Sequence, residues 1–337
     1  MNVLFLLTGP RSKASSRVRG YWVAEALAER GVTCTLLHGQ SPTFWAKALL
    51  AGCRADAVVF QKRYSRWDLL LQRLLQRLGK HTVFDLDDAP SRIDHPVTVR
   101  HANAMMAGAS VVTVGCRNLR DMSLPFQPRT VLVPSCTRMA DYPAQPLHPP
   151  TGPVTLGWIG NGAHYAPDLL QVLVPALTRV AAATPLHLSL IGASGQAELH
   201  AAFAAIKGLT TSLTDSIDWA APGATARALA EVDIGLYPLL DTPFNQCKCA
   251  FKALEYMACG LPVVASPIGA NADVVAHGST GCLAADTAAW VQQLRTLIGS
   301  PEQRAAMGRK GRQRVLDTYT TTHAAGQFLD QVLIRAA

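Results

Sequence analysis

The chain has 337 residues, 49% of them apolar and only 16% charged, which supplies material for two packed cores and excludes a disordered chain. The formal net charge of +8 is unevenly placed: residues 1–150 carry 19 Lys and Arg against 10 Asp and Glu, residues 151–337 carry 12 against 13. The basic excess of the first half points to an anionic partner, and no window approaches the roughly 18 uncharged apolar residues of a membrane-spanning helix. The opening MNVLFLLTGPRSK has no basic region before its apolar run, which stops at Leu7, so it reads as a first strand rather than a secretory leader. Further short apolar or β-branched runs follow at 32–38, 57–60, 82–85, 110–114 and 130–133, separated by segments of helical period. This alternation predicts a parallel sheet with helices on both faces, a doubly wound Rossmann-like domain over residues 1–145.

Residues 139–153, with five prolines, read as a linker. A second series then runs from 146 to 320, with strands expected at 154–159, 186–191, 210–213, 234–237 and 262–265 and helices near 165–183, 195–206, 224–231, 249–259, 286–298 and 302–316. Residues 321–337 read as a final helix crossing back to the first domain. Two doubly wound α/β domains facing across a cleft would place a ligand at the carboxyl ends of their strands. The eight cysteines are scattered through apolar stretches, and Cys247-Lys248-Cys249 lacks the second pair of a structural zinc site, so reduced, buried thiols of a cytoplasmic protein are expected.

The most informative stretch is Cys247-Lys248-Cys249-Ala250-Phe251-Lys252, continuing through Glu255 to Gly260. Lys248, Lys252 and Glu255 are spaced to share one helical face, with the cations in the first two turns, a composition suited to a diphosphate and a ribose diol. The alternative is a solvated Lys-Glu pair on an amphipathic helix. At the end of the first strand, Thr8-Gly9-Pro10 leads into Arg11-Ser12-Lys13-Ala14-Ser15-Ser16-Arg17, where Ser15 or Ser16 is expected to cap a helix with Arg17 in its first turn. Val83-Phe84-Asp85-Leu86-Asp87-Asp88 is a strand running into carboxylates. Residues 61–80 combine Lys62, Arg66, Arg73, Arg77 and Lys80 with Trp67, Leu70, Leu71, Leu74, Leu75 and Leu78. They read either as a crossover helix with its leucines on the sheet or as a helix lying in an anionic membrane interface.

The string from Lys252 to Ser266, followed by Gly269-Ala270-Asn271 and by Gly278-Ser279-Thr280-Gly281-Cys282-Leu283, resembles the signature of glycosyltransferase family 4 (GT4), retaining enzymes of GT-B fold. Val111–Cys116, Val131–Ser135 and Asp233–Pro238 look like three further strands of that family, so the resemblance covers nearly the whole chain. It implies transfer of a sugar from a nucleotide-sugar donor to an acceptor hydroxyl with retention of configuration, in bacterial cell-surface glycan or glycoconjugate biosynthesis. By the same resemblance Glu255 is the second of two glutamates eight residues apart and binds the ribose. The first is replaced here by Cys247, with Gln246 or Asn245 as candidate substitutes. The family's basic pair in the loop after the second domain's first strand is also missing, leaving Lys252, then Lys248, then the Gly160-Asn161-Gly162 backbone for the donor diphosphate. Gly9 and Arg17 face the donor phosphates and the acceptor, Gly269 completes the donor side, and Asp85, Asp87 and Asp88 are the candidates to orient or deprotonate the acceptor. His164 is a further candidate near the leaving phosphate.

Neither a metal nor a cofactor is expected beyond the nucleotide-sugar itself. The expected partners are that donor and a glycan or lipid-linked acceptor, with peripheral contact between the basic first half and the inner face of an anionic membrane. Nucleic acid is not expected, because the basic half has no recognition motif or aromatic platform. A non-catalytic nucleotide-sugar-binding protein and a sugar-nucleotide epimerase are the rival readings.

Overall fold

The computed structural model describes residues 1–90, 96–143, 152–193 and 195–334, and most of the stretch expected as a linker, including the boundary expected at 145, lies outside them. The chain divides into two compact units. The first comprises residues 1–136, 247–249 and the segment from Tyr319 onward; the second comprises 137–246 and 250–318.

In the first unit β1 (Asn2–Leu7), β2 (Thr33–His38), β3 (Ala57–Gln61), β4 (His81–Leu86), β5 (Val111–Val114) and β6 (Thr130–Leu132) form one parallel sheet in the order β2-β1-β3-β4-β5-β6. Val3–Leu7, β3, β4 and β5 are buried throughout, as strands covered on both faces require. Helix Thr321–Gln327 packs on helix Trp22–Ala28, and Phe328 stacks on Phe5 at 6.1 Å, so the last described residues complete this unit.

The second unit repeats the architecture with β7 (Val154–Ile159), β8 (Leu186–Ile191), β9 (Leu209–Thr214), β10 (Ile234–Tyr237), β11 (Val263–Ala265) and β12 (Cys282–Leu283), again all parallel, in the order β12-β11-β10-β7-β8-β9. β12, two residues long, was not expected as a strand; it is too short to carry an alternation. Tyr256 ties this core together: its hydroxyl donates to the Leu236 carbonyl and accepts from the Ile159 amide, both at 3.1 Å, joining β10 and β7 to helix Phe251–Cys259. That helix ends at Gly260, whose φ of 81° supports the two capping bonds from Gly260 N–H to Met257 O and from Leu261 N–H to Tyr256 O. Among the described residues no helix is long and apolar enough to cross a membrane.

The first helix departs from expectation. It starts at Ala14 with Lys13 as N-cap, widens into a π-helical stretch at Arg17–Tyr21 and continues as Trp22–Ala28, leaving Ser15 and Ser16 inside rather than capping. The turn closed by Lys13 N–H on Pro10 O starts the helix two residues early. Both Arg17 and Arg19 are drawn into the interior. Arg19 forks onto Asp85, donates to the Val133 carbonyl, and shares Asp85 with the Thr113 hydroxyl at 2.7 Å. One buried ion pair therefore joins the helix to β4, β5 and the chain after β6.

At the carboxyl edge of the same sheet Asp88 accepts from Lys62 at 2.8 Å and from Lys248 at 2.9 Å, which anchors residues 247–249 within the first unit. Burial raises the Asp88 carboxyl, but the two ammonium groups outweigh it and hold the group down at about 2.

Two stability predictions follow from these pairs. Arg19→Ala strands Asp85 without a cation in the interior and should destabilise the first unit by about 3–5 kcal/mol in urea unfolding; a loss under about 1 kcal/mol would contradict the structural role. Asp88 sits below its unfolded value of about 3.9, so its contribution of about 2 kcal/mol is complete above pH ~4 and fades as pH falls towards ~2. The stability gap between wild type and Asp88→Asn should accordingly hold from pH 7 to ~4 and narrow below; a gap indifferent to pH down to ~2.5 would refute the pairing.

Candidate functional site

Because every strand of the second sheet is parallel, β7, β10 and β11 all deliver their carboxyl ends to one edge, and strand order reverses between β10 and β7. Such a reversal opens a crevice in which open α/β sheets bind ligands. Lys252 sits there. Its ammonium lies 3.5 Å from the Tyr165 ring centroid, 5.0 Å from that of Tyr237, the last residue of β10, and 5.8 Å from that of Trp158 in β7. The side chain is 9% exposed, and among the described residues no oxygen accepts from its ammonium. Gly160 makes room for it: a Cβ there would come 2.6 Å from Lys252 Cε. A cation desolvated against aromatic faces with its N–H groups unspent has the chemistry to meet an anion.

Glu255 follows Lys252 by three residues on the same helix and is 4% exposed. Its Oε1 accepts from the Tyr142 hydroxyl at 2.8 Å, and the Tyr142 carbonyl accepts from Arg312 at 2.7 Å. Tyr142, itself buried, thus orients the carboxylate and is in turn fixed by the helix Pro301–Thr318. Asn161 caps helix Gly162–Asp168, its Oδ1 accepting from the His164 amide at 3.3 Å, so Gly160-Asn161-Gly162 forms the turn leaving β7 beside Lys252. His164 packs edge-on between Tyr165 and Phe244, at 5.0 and 5.8 Å. Gly269, with φ 59°, lies in the turn at the carboxyl end of β11, where Asn271 Nδ2 donates to Ser266 O at 3.0 Å.

Lys248 does not share the helical face expected for it. Ala250 takes the left-handed conformation at φ 56°, which a chain cannot propagate as a helix, so the helix begins only at Phe251 and Lys248 goes to Asp88 in the first unit. Of the residues expected to stand in for a carboxylate at 247, Asn245 is buried and donates to Asp168 at 2.8 Å and to Leu240 O at 2.9 Å, while Gln246 donates to Asp241 at 2.7 Å. Burial pushes the Cys247 thiol up to about 12, so it stays neutral near pH 7 and does not imitate a glutamate's charge.

In the first unit the strand order reverses between β1 and β3; Thr8 and Gly9 directly follow β1, Gln61 ends β3, and the Thr8 amide donates to Gln61 Oε1 at 3.4 Å. Thr8 Oγ1, Ser16 Oγ and Gln61 Nε2 are buried without a hydrogen-bond partner among the described residues. Arg17, expected to meet the donor phosphates, instead donates to the Arg11 and Ser12 carbonyls and stands 5.7 Å over Trp22. Gly9 lies against Lys13, whose ammonium is drawn down by burial and by Lys62 against the pull of Asp87. The three aspartates separate. Asp85, 1% exposed, is consumed by Arg19 and Thr113, and Asp88 by its two lysines; both are structural anions rather than acceptor-side bases. Asp87 is held more loosely: Ser15 donates to its Oδ2, and Oδ1 stands 3.3 Å from Lys62. Arg19 and Tyr142, which order these two sites, were not singled out in the sequence.

Residues 153–300 match the family model of the group 1 glycosyl transferases. Alpha-maltose-1-phosphate synthase of Mycolicibacterium smegmatis is 38% identical over 85 residues, 23% of this chain and 22% of that protein. D-inositol 3-phosphate glycosyltransferase of Gordonia bronchialis is 30% identical over 152 residues, 44% of this chain and 33% of that protein, so the matched segment spans a third or less of either relative. Among solved structures, Anabaena HepE in complex with UDP and glucose superposes with a TM-score of 0.72 at 14% identity, covering 97% of this chain and 98% of that one. The two parallel six-stranded sheets are those of the GT-B fold, and residues 153–300 carry the sequence pattern of the group 1 glycosyl transferases.

Proposed function

We propose that the protein is a retaining glycosyltransferase that moves a sugar from a nucleotide-sugar donor to an acceptor hydroxyl. The observation that carries the reading is the buried Lys252 ammonium, caged by three aromatic rings at the strand-order reversal with no anion hydrogen-bonded to it among the described residues. In the transfer the bond from the anomeric carbon to the donor phosphate breaks, the electron pair leaves with the diphosphate, and the anomeric carbon bonds to the acceptor oxygen. The acceptor proton passes to the departing phosphate. Lys252 stabilises the charge that grows on that phosphate, in a site where water competes poorly. Glu255, oriented by Tyr142, presents a carboxylate to accept from the ribose hydroxyls. The turns at Gly160–Gly162 and Gly269 supply backbone around the donor, without a metal.

On the acceptor side Asp87, with the unpartnered hydroxyls of Thr8 and Ser16 and the Gln61 amide, suits a polyhydroxylated molecule that needs several hydrogen bonds. The basic excess of residues 1–150 favours an acceptor that carries negative charge, such as a lipid-linked glycan intermediate of cell-surface biosynthesis at the inner face of a membrane. The neutral thiol of Cys247 is the observation that keeps a non-catalytic nucleotide-sugar-binding protein as a second reading.

Calorimetric titration with UDP, GDP and dTDP tests the donor site. Selective binding of one nucleotide is expected, weakened about tenfold or more, or 1.4 kcal/mol, by Lys252→Ala and by Glu255→Ala. Failure of all three nucleotides to bind, or variants that bind as wild type, would sink the assignment; binding without transfer to any acceptor would favour the non-catalytic reading. Tyr142→Phe should weaken the same nucleotide about threefold to tenfold, through loss of the hydrogen bond that orients Glu255; an affinity equal to wild type would show that Glu255 needs no such support.

A further inference from the structure

Helix Arg66–Arg77 has two apolar faces, and the described residues cover only one. Its inner side presents Leu69, Leu71 and Leu75 to the core, with Gln72 bonded to Met105 O and Asp68 spent on Ser65 and Arg63. Trp67, Leu70, Leu74 and Leu78 point away and remain 41–53% exposed. At about 100° per residue these four fall on a single stripe, and the exposed Arg66, Arg73 and Arg77 form a parallel row beside it. Arg66 lies 5.0 Å over the Trp67 ring, so the two rows meet at one end. A crossover helix needs one apolar stripe to seat it on a sheet. The second stripe serves no packing in this unit, and large contiguous exposed apolar surface marks an interaction site.

The flanking helices extend the same character. Pro42–Arg54 and Pro96–Gly108 both pack against Arg66–Arg77, and they expose Leu50 and Val97 together with Lys47, Arg54 and Arg100. Across the three helices the only carboxylate is Asp68, which is buried and already paired. The face is therefore cationic and apolar at once, with no free negative charge.

We propose that this face docks on an anionic lipid bilayer, Trp67, Leu70, Leu74 and Leu78 entering the boundary between headgroups and acyl chains while the arginine row meets lipid phosphates. Charge selects this occupant. A second copy of the chain would bring the same arginines against one another, and an acidic protein surface would answer the arginines but not a stripe of Trp and Leu. An anionic bilayer answers both with one surface. The inference deepens the reading of a membrane-presented acceptor, and its deciding readout, partition into vesicles, needs neither donor nor turnover, so either can fail without the other.

The test is co-sedimentation of the full chain with vesicles of phosphatidylcholine alone or mixed with phosphatidylglycerol. Wild type should bind the mixed vesicles at least tenfold more tightly than the neutral ones, and added salt should weaken that binding. Leu70→Ser with Leu74→Ser, and Arg73→Gln with Arg77→Gln, should each reduce partition about tenfold. Circular dichroism and nucleotide titration unchanged from wild type would show that these exposed substitutions leave the fold and the donor site intact. Equal, weak partition of wild type into both vesicles, or variants that partition like wild type, would overturn the proposal. So would a concentration-dependent dimer, seen by light scattering and dissolved by the leucine changes, with no vesicle binding: that result would assign the face to a second copy.

Discussion

The common direction of the strands is the constraint on which the chemistry depends. Parallel strands send every carboxyl end to one edge, and a single reversal of strand order leaves a crevice there that no helix of the sheet fills. The second unit places a lysine in its crevice and surrounds the ammonium with Trp158, Tyr165 and Tyr237. Aromatic faces hold a cation in place without neutralising it, whereas a carboxylate partner would have quenched its charge. The cage keeps Lys252 rigid, dry and available.

The first unit treats its charges in the opposite way. Arg19 with Asp85, and Lys62 and Lys248 with Asp88, are pairs closed upon themselves, and each joins segments remote in sequence. Arg19 reaches across 66 residues to Asp85, and Asp88 across 160 to Lys248. Charge here organises backbone, and the polar groups left over, Thr8, Ser16 and Gln61, are neutral ones suited to hydroxyl-bearing molecules.

Local pattern was a good guide to the elements and a poor one to partnerships. β1, β7, β8 and β10 fall where runs of apolar residues between turn signals put them, because a strand buried on both faces writes its own bounds into composition. The placing of Lys252 and Glu255 one turn apart on one helix was likewise legible, since both belong to one regular element. Lys248 was misplaced by the same spacing argument: nothing local announces that Ala250 adopts a left-handed turn and ends the periodicity. Arg19 looked like one more solvated arginine in a basic loop, and Tyr142 like part of a proline-rich connection. Their partners lie 66 and 113 residues away, and only the packed chain brings them together.

The return of the chain at Tyr319 carries a consequence for biosynthesis. Helix Thr321–Gln327 covers helix Trp22–Ala28, and Phe328 closes over Phe5 in the first strand. A ribosome therefore releases the whole of residues 137–318 before the pieces that finish the amino-terminal core emerge. The half made first must wait to be sealed last, holding Phe5 and its neighbours open to solvent or to a chaperone for nearly the full time of translation.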